Sequence, residues 1–215
     1  MMGDRDFRTV IKNAIESVGK ELDYKIDLEN VNKIHLIEAT KCLRRSYFDR
    51  TDPEEPERTR FTDLLGGMFR TLDYGSVPAS FDLKNGISLE GQADMIADDV
   101  VMIFRSVSEF PEDPIAKDIL YLNACLWIYD KVDGIIVYID GVGNEASFAL
   151  TKDKKMFEEL VRRAQTFRTL VNDKKVPQVE PSTECSTCQY YERCYTKKKR
   201  NEEDLVRQIL GKDFR

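Results

Sequence analysis

C-S-T-C-Q-Y-Y-E-R-C, residues 185–194, carries three cysteines at the spacing C-x2-C-x5-C. Three thiolates this close together can bind one metal centre, but a closed tetrahedral or cubane site needs a fourth ligand. Cys42 is the candidate for that ligand, so the four ligands are predicted to be Cys42, Cys185, Cys188 and Cys194. The metal would then join two segments that are far apart in the chain. Four thiolates suit zinc and an iron–sulfur cluster equally well, and the residues alone leave both open.

Length and composition predict a soluble domain with a substantial core. The chain has 215 residues, 41% of them hydrophobic, which favours one large domain or a domain with a small appendage. No run approaches the length of a membrane span, and the acidic start lacks the apolar core of a signal peptide. We therefore expect a cytoplasmic protein with no membrane partner, in which clustered thiols stay reduced and bind metal. The fifth cysteine, Cys125, lies in an apolar helical run and is expected to be a buried thiol.

The net charge of −6 excludes a generally basic, nucleic-acid-coating protein. Two local basic clusters flank the cysteines, and they would come together if all four cysteines bind one metal. Their members are candidate nucleic-acid contacts: Arg44, Arg45, Lys197, Lys198, Lys199 and Arg200. The alternative is that both clusters are solvated surface patches.

The order of helical and strand patterns predicts a mixed α/β fold (α+β), a mixed sheet flanked by helices with a helical lobe formed by both termini. Hydrophobic periodicity predicts helices over residues 4–20, 38–50, 61–74, 114–131, 153–173 and 202–210. A hairpin is predicted for residues 87–96 and 100–107, and strands for 135–139 and 145–150. We divide the chain into an N-terminal helical segment (1–60), a core (61–175) and a cysteine segment with a final helix (176–215).

Gly66 and Gly67 lie inside the predicted helix of residues 61–74. Each costs a helix roughly 1 kcal/mol relative to alanine. Their presence predicts either a close approach of another segment to the helix backbone or a kink.

Several short motifs, together with the cysteine pattern, resemble the RecB-type PD-(D/E)XK nucleases, and specifically the CRISPR-associated exonuclease family. The similar segments are K-C-L-R-R-S-Y (41–47), L-G-G-M-F-R (65–70), G-Q-A-D (91–94) and G-I-I-V-Y (134–138). The resemblance implies a nuclease-like fold and a four-cysteine iron–sulfur cluster, most often [4Fe–4S]. It also implies a role in spacer acquisition, with DNA (single strands or DNA ends) and the CRISPR integrase or other adaptation proteins as partners.

The family pattern is incomplete at the catalytic positions. Such nucleases hold Mg²⁺ or Mn²⁺ with two or three acids and orient water with a lysine. Asp94 matches the family aspartate, but Arg70 replaces the histidine, and Ile103 and Arg105 replace the glutamate and lysine of E-x-K. Tyr121 and Cys125 stand in the Q-x-x-x-Y positions. The single histidine, His35, is expected to lie away from this site.

Isoleucine cannot bind a hard cation, and arginine does not give up its proton. We therefore expect Arg70 and Arg105 to form ion pairs with Asp94 where the metal would lie, leaving a nuclease-like protein without a working centre. One alternative is an active exonuclease or endonuclease in which Glu90, on the same strand face as Asp94, supplies the second carboxylate. Another is a zinc-stabilised scaffold with no nucleic-acid role.

Overall fold

The computed structural model describes residues 17–19, 21–54 and 61–195. The predicted helix of residues 202–210, most of the predicted helix of residues 4–20, and the basic run of residues 197–200 lie outside this part of the chain. The strands are β1 (Lys33–His35), β2 (Ala79–Asp82), β3 (Ser88–Gly91), β4 (Met95–Ala97), β5 (Val100–Ser106), β6 (Asp133–Ile139) and β7 (Glu145–Thr151). The α-helices are α1 (Leu36–Thr40), α2 (Leu43–Thr51), α3 (Phe61–Arg70), α4 (Ala116–Ile128), α5 (Lys154–Asn172) and α6 (Tyr191–Tyr195), with a 3₁₀ helix at Thr183–Thr187.

Two mixed sheets flanked by helices make up the described structure, which confirms the predicted mixed α/β fold. The larger sheet has the order β4-β5-β6-β7, with β5 and β6 parallel and the other pairs antiparallel. The smaller sheet has the order β1-β3-β2, with β1 and β3 parallel. The parallel pair β5–β6 needs a crossover connection, and α4 provides it.

One core fills the space between the larger sheet and the helices. Helix α4 packs on β5 and β6 through a fully buried Leu122, and α5 packs on α4 through Leu160 and Ala164. On the opposite face of the sheet, Phe69 of α3 stacks on Phe104 of β5 with ring centroids 3.6 Å apart. Asp153 starts α5, and its carboxylate accepts a hydrogen bond from the Met156 amide at 2.8 Å.

The predicted single helix of residues 38–50 is wrong: the chain breaks at Lys41 and Cys42 into α1 and α2. The carbonyls of Ala39 and Lys41 accept hydrogen bonds from the Arg163 guanidinium, at 2.6 and 2.8 Å. A continuous helix would direct these carbonyls to its own amides. The break places Cys42 at the N-terminal boundary of α2, where its carbonyl accepts a hydrogen bond from the Ser46 amide at 3.0 Å.

The predicted hairpin is confirmed for its second half only. Strands β4 and β5 pair through a turn at Asp98, whose φ is +52°. The predicted first strand is divided, because residues 88–91 belong to the smaller sheet and residues 95–97 to the larger one. The chain changes sheets between Gly91 and Met95, and Asp94 lies in this crossing.

Candidate functional site

Asp94 is held rigidly at the crossing between the two sheets. Its side chain is fully buried, and its backbone amide donates to the carbonyl of Met102 at 3.1 Å. One carboxylate oxygen, Oδ2, accepts a hydrogen bond from the Phe104 amide at 2.8 Å. A buried carboxylate is costly unless cations or hydrogen-bond donors surround it, so the neighbours of Asp94 decide what the site can do.

Two arginines neutralise Asp94. Arg70, the last residue of α3, places Nη1 2.6 Å from Oδ1, and Arg105 of β5 places Nη1 3.0 Å from Oδ2. The predicted ion pairs are confirmed. Each oxygen of Asp94 is bonded to a guanidinium, so a divalent cation would have to displace an arginine to bind either oxygen.

Helix α3 comes this close to Asp94 because Gly66 has no side chain. A Cβ atom at Gly66 would lie 2.6 Å from Oδ1 of Asp94 and 2.8 Å from Oδ2. The close approach predicted for this glycine pair is therefore present, and it brings Arg70 within reach of the carboxylate.

A second buried carboxylate, Asp118 of α4, belongs to the same cluster, and the sequence reasoning missed it. Arg105 Nε lies 3.2 Å from Oδ1 of Asp118, so one guanidinium bridges two acids. The hydroxyl of Tyr138 donates to Oδ2 of Asp118 at 3.0 Å and accepts from the Ile115 amide at 2.9 Å. The sequence could have indicated that Asp118 is buried, because Asp118 lies three residues after Ile115 on the apolar stripe of its helix.

Burial would lower the pKa of Arg105, but the charges of Asp94 and Asp118 outweigh it and raise that pKa above its usual value. Arg105 therefore stays cationic and cannot act as the proton-transferring group that a lysine provides.

Tyr24 covers the cluster from the N-terminal side. Its hydroxyl lies 3.4 Å from Oδ1 of Asp94, and the Arg70 guanidinium lies 4.1 Å from the centre of its ring. Arg70 Nη2 also donates to the carbonyl of Leu22 at 2.6 Å, which fixes this segment over the site. Burial, followed by the charge of Asp94, raises the pKa of Tyr24 to about 12. No local pattern in the sequence indicated this contact.

The expectation that His35 lies away from the site is wrong. Its ring packs against Tyr24 with centroids 4.8 Å apart, and both residues line a cavity of about 600 Å³ beside Arg70. Nδ1 of His35 accepts a hydrogen bond from the Ile37 amide at 3.2 Å, which starts α1. Burial, then the charges of Lys41 and Arg70, lower the pKa of His35 to about 3, so the imidazole is neutral at physiological pH.

The other residues at the predicted nuclease positions contribute packing rather than ligands. Ile103 is fully buried in the core. Tyr121 donates its hydroxyl to the carbonyl of Gln92 at 2.8 Å, and burial raises its pKa well above the usual value. Cys125 is fully buried as predicted, and burial raises the pKa of its thiol.

Glu90 does not share a strand with Asp94, so the geometric premise for its role as a substitute ligand is wrong. It lies on β3 in the smaller sheet, and its Oε1 is 3.1 Å from Nζ of Lys33. The crossing between the sheets interrupts the two-residue alternation on which the prediction relied.

The four predicted cysteine ligands come together. Cys42, Cys185, Cys188 and Cys194 all line one cavity, together with Arg44 and Arg45. All five cysteines of the chain are free thiols. Among residues 17–19, 21–54 and 61–195, no group of three or more His, Cys, Asp or Glu side chains is arranged to hold a single metal ion.

Several direct contacts join the two cysteine-bearing segments. Tyr190 is fully buried, and its hydroxyl donates to Oδ1 of Asp49 at 2.7 Å. Arg193 bonds Asp52 at 2.6 Å and lies 3.9 Å from the ring centre of Phe48. These contacts hold the segment that carries Cys42 against the segment that carries the terminal cysteines.

The thiols differ in their surroundings. Hydrogen bonds from the Ser182 amide and then its hydroxyl lower the pKa of Cys185, with the amide nitrogen 3.4 Å from the sulfur. Burial raises the pKa of Cys194, although the nearby Arg44 opposes that shift. Nε of Arg44 is buried and has no acceptor within the described structure.

The two described basic candidates are not equivalent. Arg44 is partly buried and donates to the carbonyl of Pro177 at 3.1 Å. Arg45 is exposed, and its nearest acid, Asp49, lies 4.0 Å away. Arg45 is therefore the more accessible of the two for a phosphate.

No helix within the described residues is both long and apolar enough to cross a membrane.

The sequence matches no protein-family model, and no curated protein matches it. The fold is similar to the crystal structure of SSO0001, with a TM-score of 0.64 and 18% identity, over 87% of this chain and 96% of that one. This likeness is one of fold, and it extends over nearly the full length of both chains.

Two exonucleases are also among the similar solved structures. The alkaline exonuclease LHK-Exo from Laribacter hongkongensis has a TM-score of 0.45 and 10% identity, over 67% of this chain and 90% of that one. A phage-related exonuclease from Haemophilus somnus 129PT has a TM-score of 0.43 and 9% identity, over 75% of this chain and 95% of that one.

Proposed function

We propose that this protein has a nuclease-like core with a closed catalytic centre, carries an iron–sulfur cluster, and acts by binding DNA or a partner protein rather than by cutting DNA. The observation that carries the proposal is the state of Asp94. Both of its oxygens are bonded to guanidinium groups, from Arg70 and Arg105, and Asp118, the second carboxylate that the described residues bring to the cluster, is bonded to Arg105 as well.

An active metal-dependent nuclease needs two carboxylates that can share a cation. Asp94 and Asp118 share the cation of Arg105 instead, and Glu90 faces Lys33. Ile103, at the family glutamate position, adds no ligand. The geometry therefore favours the closed centre over the alternative of a displaced acid acting with Asp94.

Four thiolates suit an iron–sulfur cluster and zinc alike, and the family resemblance favours the cluster. The four thiols line one cavity. The sulfides of a cluster would accept a hydrogen bond from the buried Nε of Arg44, which has no acceptor within the described structure. Cys42, Cys185, Cys188 and Cys194 would hold it, most simply as [4Fe–4S].

The cluster would have a structural task, since the cavity lies where the segment before α2 meets the terminal segment. Arg44 and Arg45 in its lining would balance the negative charge of four thiolates. Arg45 and the run of residues 197–200 would then provide the basic surface that contacts DNA. This agrees with the role in spacer acquisition that the family resemblance implies, with DNA ends or the integrase as partners.

DNA binding is tested by fluorescence anisotropy with a labelled single strand over a range of salt concentrations. Replacing Arg45 by alanine should weaken binding and reduce the slope of log K against log salt by about 0.7 for one lost phosphate contact. Lys84→Ala, in the exposed turn between β2 and β3, is the matched control and should leave the slope unchanged. If the protein does not bind DNA, or if both substitutions change binding equally, DNA is not its partner. The proposal would then keep only binding to a partner protein.

A further inference from the structure

Strand β7 is the long open edge of the described structure. The other edge of the larger sheet, β4, has three residues and is extended by a bridge between Met95 and Gly75. The edges of the smaller sheet, β1 and β2, have three and four residues. Strand β7 has seven residues and pairs with β6 without a bulge.

The register determines which backbone groups face outward. Lys152 donates to the carbonyl of Val132, and Asp140 donates to the carbonyl of Asn144. Hydrogen-bonded and non-hydrogen-bonded pairs alternate in an antiparallel ladder, so the even-numbered residues of β7 bond to β6. The amides and carbonyls that point away from the sheet therefore belong to Glu145, Ser147, Ala149 and Thr151. Within the described structure, no hydrogen bond to these groups is present.

Natural proteins protect a free edge with proline, lysine, a bulge or a very short strand. The sequence of β7, E-A-S-F-A-L-T, contains no proline or lysine, and its only charge is at the first residue. The outward residues are exposed and three of them are small, so a neighbouring strand can approach closely. This edge is suited to strand addition.

We propose that β7 pairs antiparallel with β7 of a second copy of the chain, around a two-fold axis at Phe148, to give a continuous eight-stranded sheet. In this register Ser147 lies opposite Ala149 of the partner subunit, and Glu145 lies opposite Thr151 of the partner subunit. A shift by two residues toward the C-terminus would place Glu145 opposite Asp153, a like-charge pair that the proposed register avoids.

Phe148 supports the choice of a second copy over an unrelated peptide. It is only half-buried in the single chain, where its ring packs against Tyr138 at 5.8 Å. At the two-fold axis it would face its own copy in a non-hydrogen-bonded pair, where side chains are closest and aromatic pairs stabilise a sheet. A two-fold interface of this kind is closed and leaves no further edge at β7.

The test is sedimentation analysis of the full chain across a wide concentration series, with two double variants. S147K/A149K places lysines opposite lysines and should raise the dimer dissociation constant by about tenfold or more. S147E/A149K places glutamates opposite lysines and should retain the dimer. Q165K/T169K, on the exposed side of α5, is the charge-matched control and should leave the dissociation constant unchanged.

A wild-type chain that stays monomeric at every concentration would overturn the proposal, because the edge would then be covered by the chain itself or reserved for another partner. A dimer that S147K/A149K does not weaken would also overturn it. Equal weakening of the dimer by S147K/A149K and S147E/A149K would also overturn the proposal. In the proposed register, only S147K/A149K places like charges opposite each other across the axis.

Discussion

The guanidinium of Arg105 lies against the carboxylate of Asp94, with Nη1 3.0 Å from Oδ2. The same guanidinium bonds Asp118 through Nε. A fixed positive charge thus occupies the position between two acids. The buried cluster is therefore electrically neutral without a divalent metal, and replacing its residues should have measurable effects.

Replacing Asp94 by asparagine should destabilise the fold. It leaves Arg70 and Arg105, both largely buried, without their shared counter-charge, and the free energy of unfolding should fall by about 3 kcal/mol. Urea denaturation measures this. Asp130→Asn, at an exposed acid paired with Lys152, is the matched control and should leave the midpoint nearly unchanged. Equal responses of the two variants would mean that the ion pairs around Asp94 do not stabilise the fold.

Replacing Gly66 by alanine should also destabilise the protein, although alanine favours helices. The new methyl group would lie within 2.8 Å of three carboxyl atoms of Asp94, and α3 or Asp94 would have to move. Such overpacking costs about 1–3 kcal/mol, which offsets the helix gain of roughly 1 kcal/mol. Gly141→Ala, which has no atom within 4 Å of the new group, is the control for the same denaturation measurement. A more stable Gly66→Ala variant would contradict the close approach.

His35 should make stability depend on pH. Its pKa is lowered to about 3 in the folded chain, so between that value and the unfolded pKa of 6.5 the unfolded chain binds the extra proton. Stability is therefore retained above pH 6.5 and lost as the pH falls through this window, by up to about 1.4 kcal/mol per pH unit. Denaturation of wild type and His35→Asn should diverge there. Because His35 is the only histidine, parallel curves would contradict its burial as a neutral ring.

Cys42→Ser should abolish binding of the proposed iron–sulfur cluster. Cys42 lines the cavity formed by the three terminal cysteines, so the variant should contain little iron and sulfide after anaerobic purification. Cys125→Ala, at the buried thiol outside the cavity, should retain the metal content of the wild type. Full iron content in the Cys42 variant would show that the fourth ligand is another group.

The fold class and much of the site followed from the sequence, for identifiable reasons. The expectation that Asp94, Arg70 and Arg105 lie together came from the resemblance of their motifs to a nuclease family. Asp118 and Tyr24 reach the cluster from a distant helix and from the N-terminal segment, so their contacts depend on tertiary packing. Glu90 was misplaced because the chain changes sheets after Gly91, and alternation along one strand cannot detect that change.

The most direct test of the central claim is a cleavage assay with anaerobically purified protein, labelled single- and double-stranded DNA, and Mg²⁺ or Mn²⁺. Asp94→Ala is assayed beside the wild type. A closed centre predicts no metal-dependent cleavage by either protein, with the wild type still folded. Cleavage by the wild type that Asp94→Ala abolishes would contradict the account, because it would show that the arginines leave Asp94 free to bind a catalytic cation.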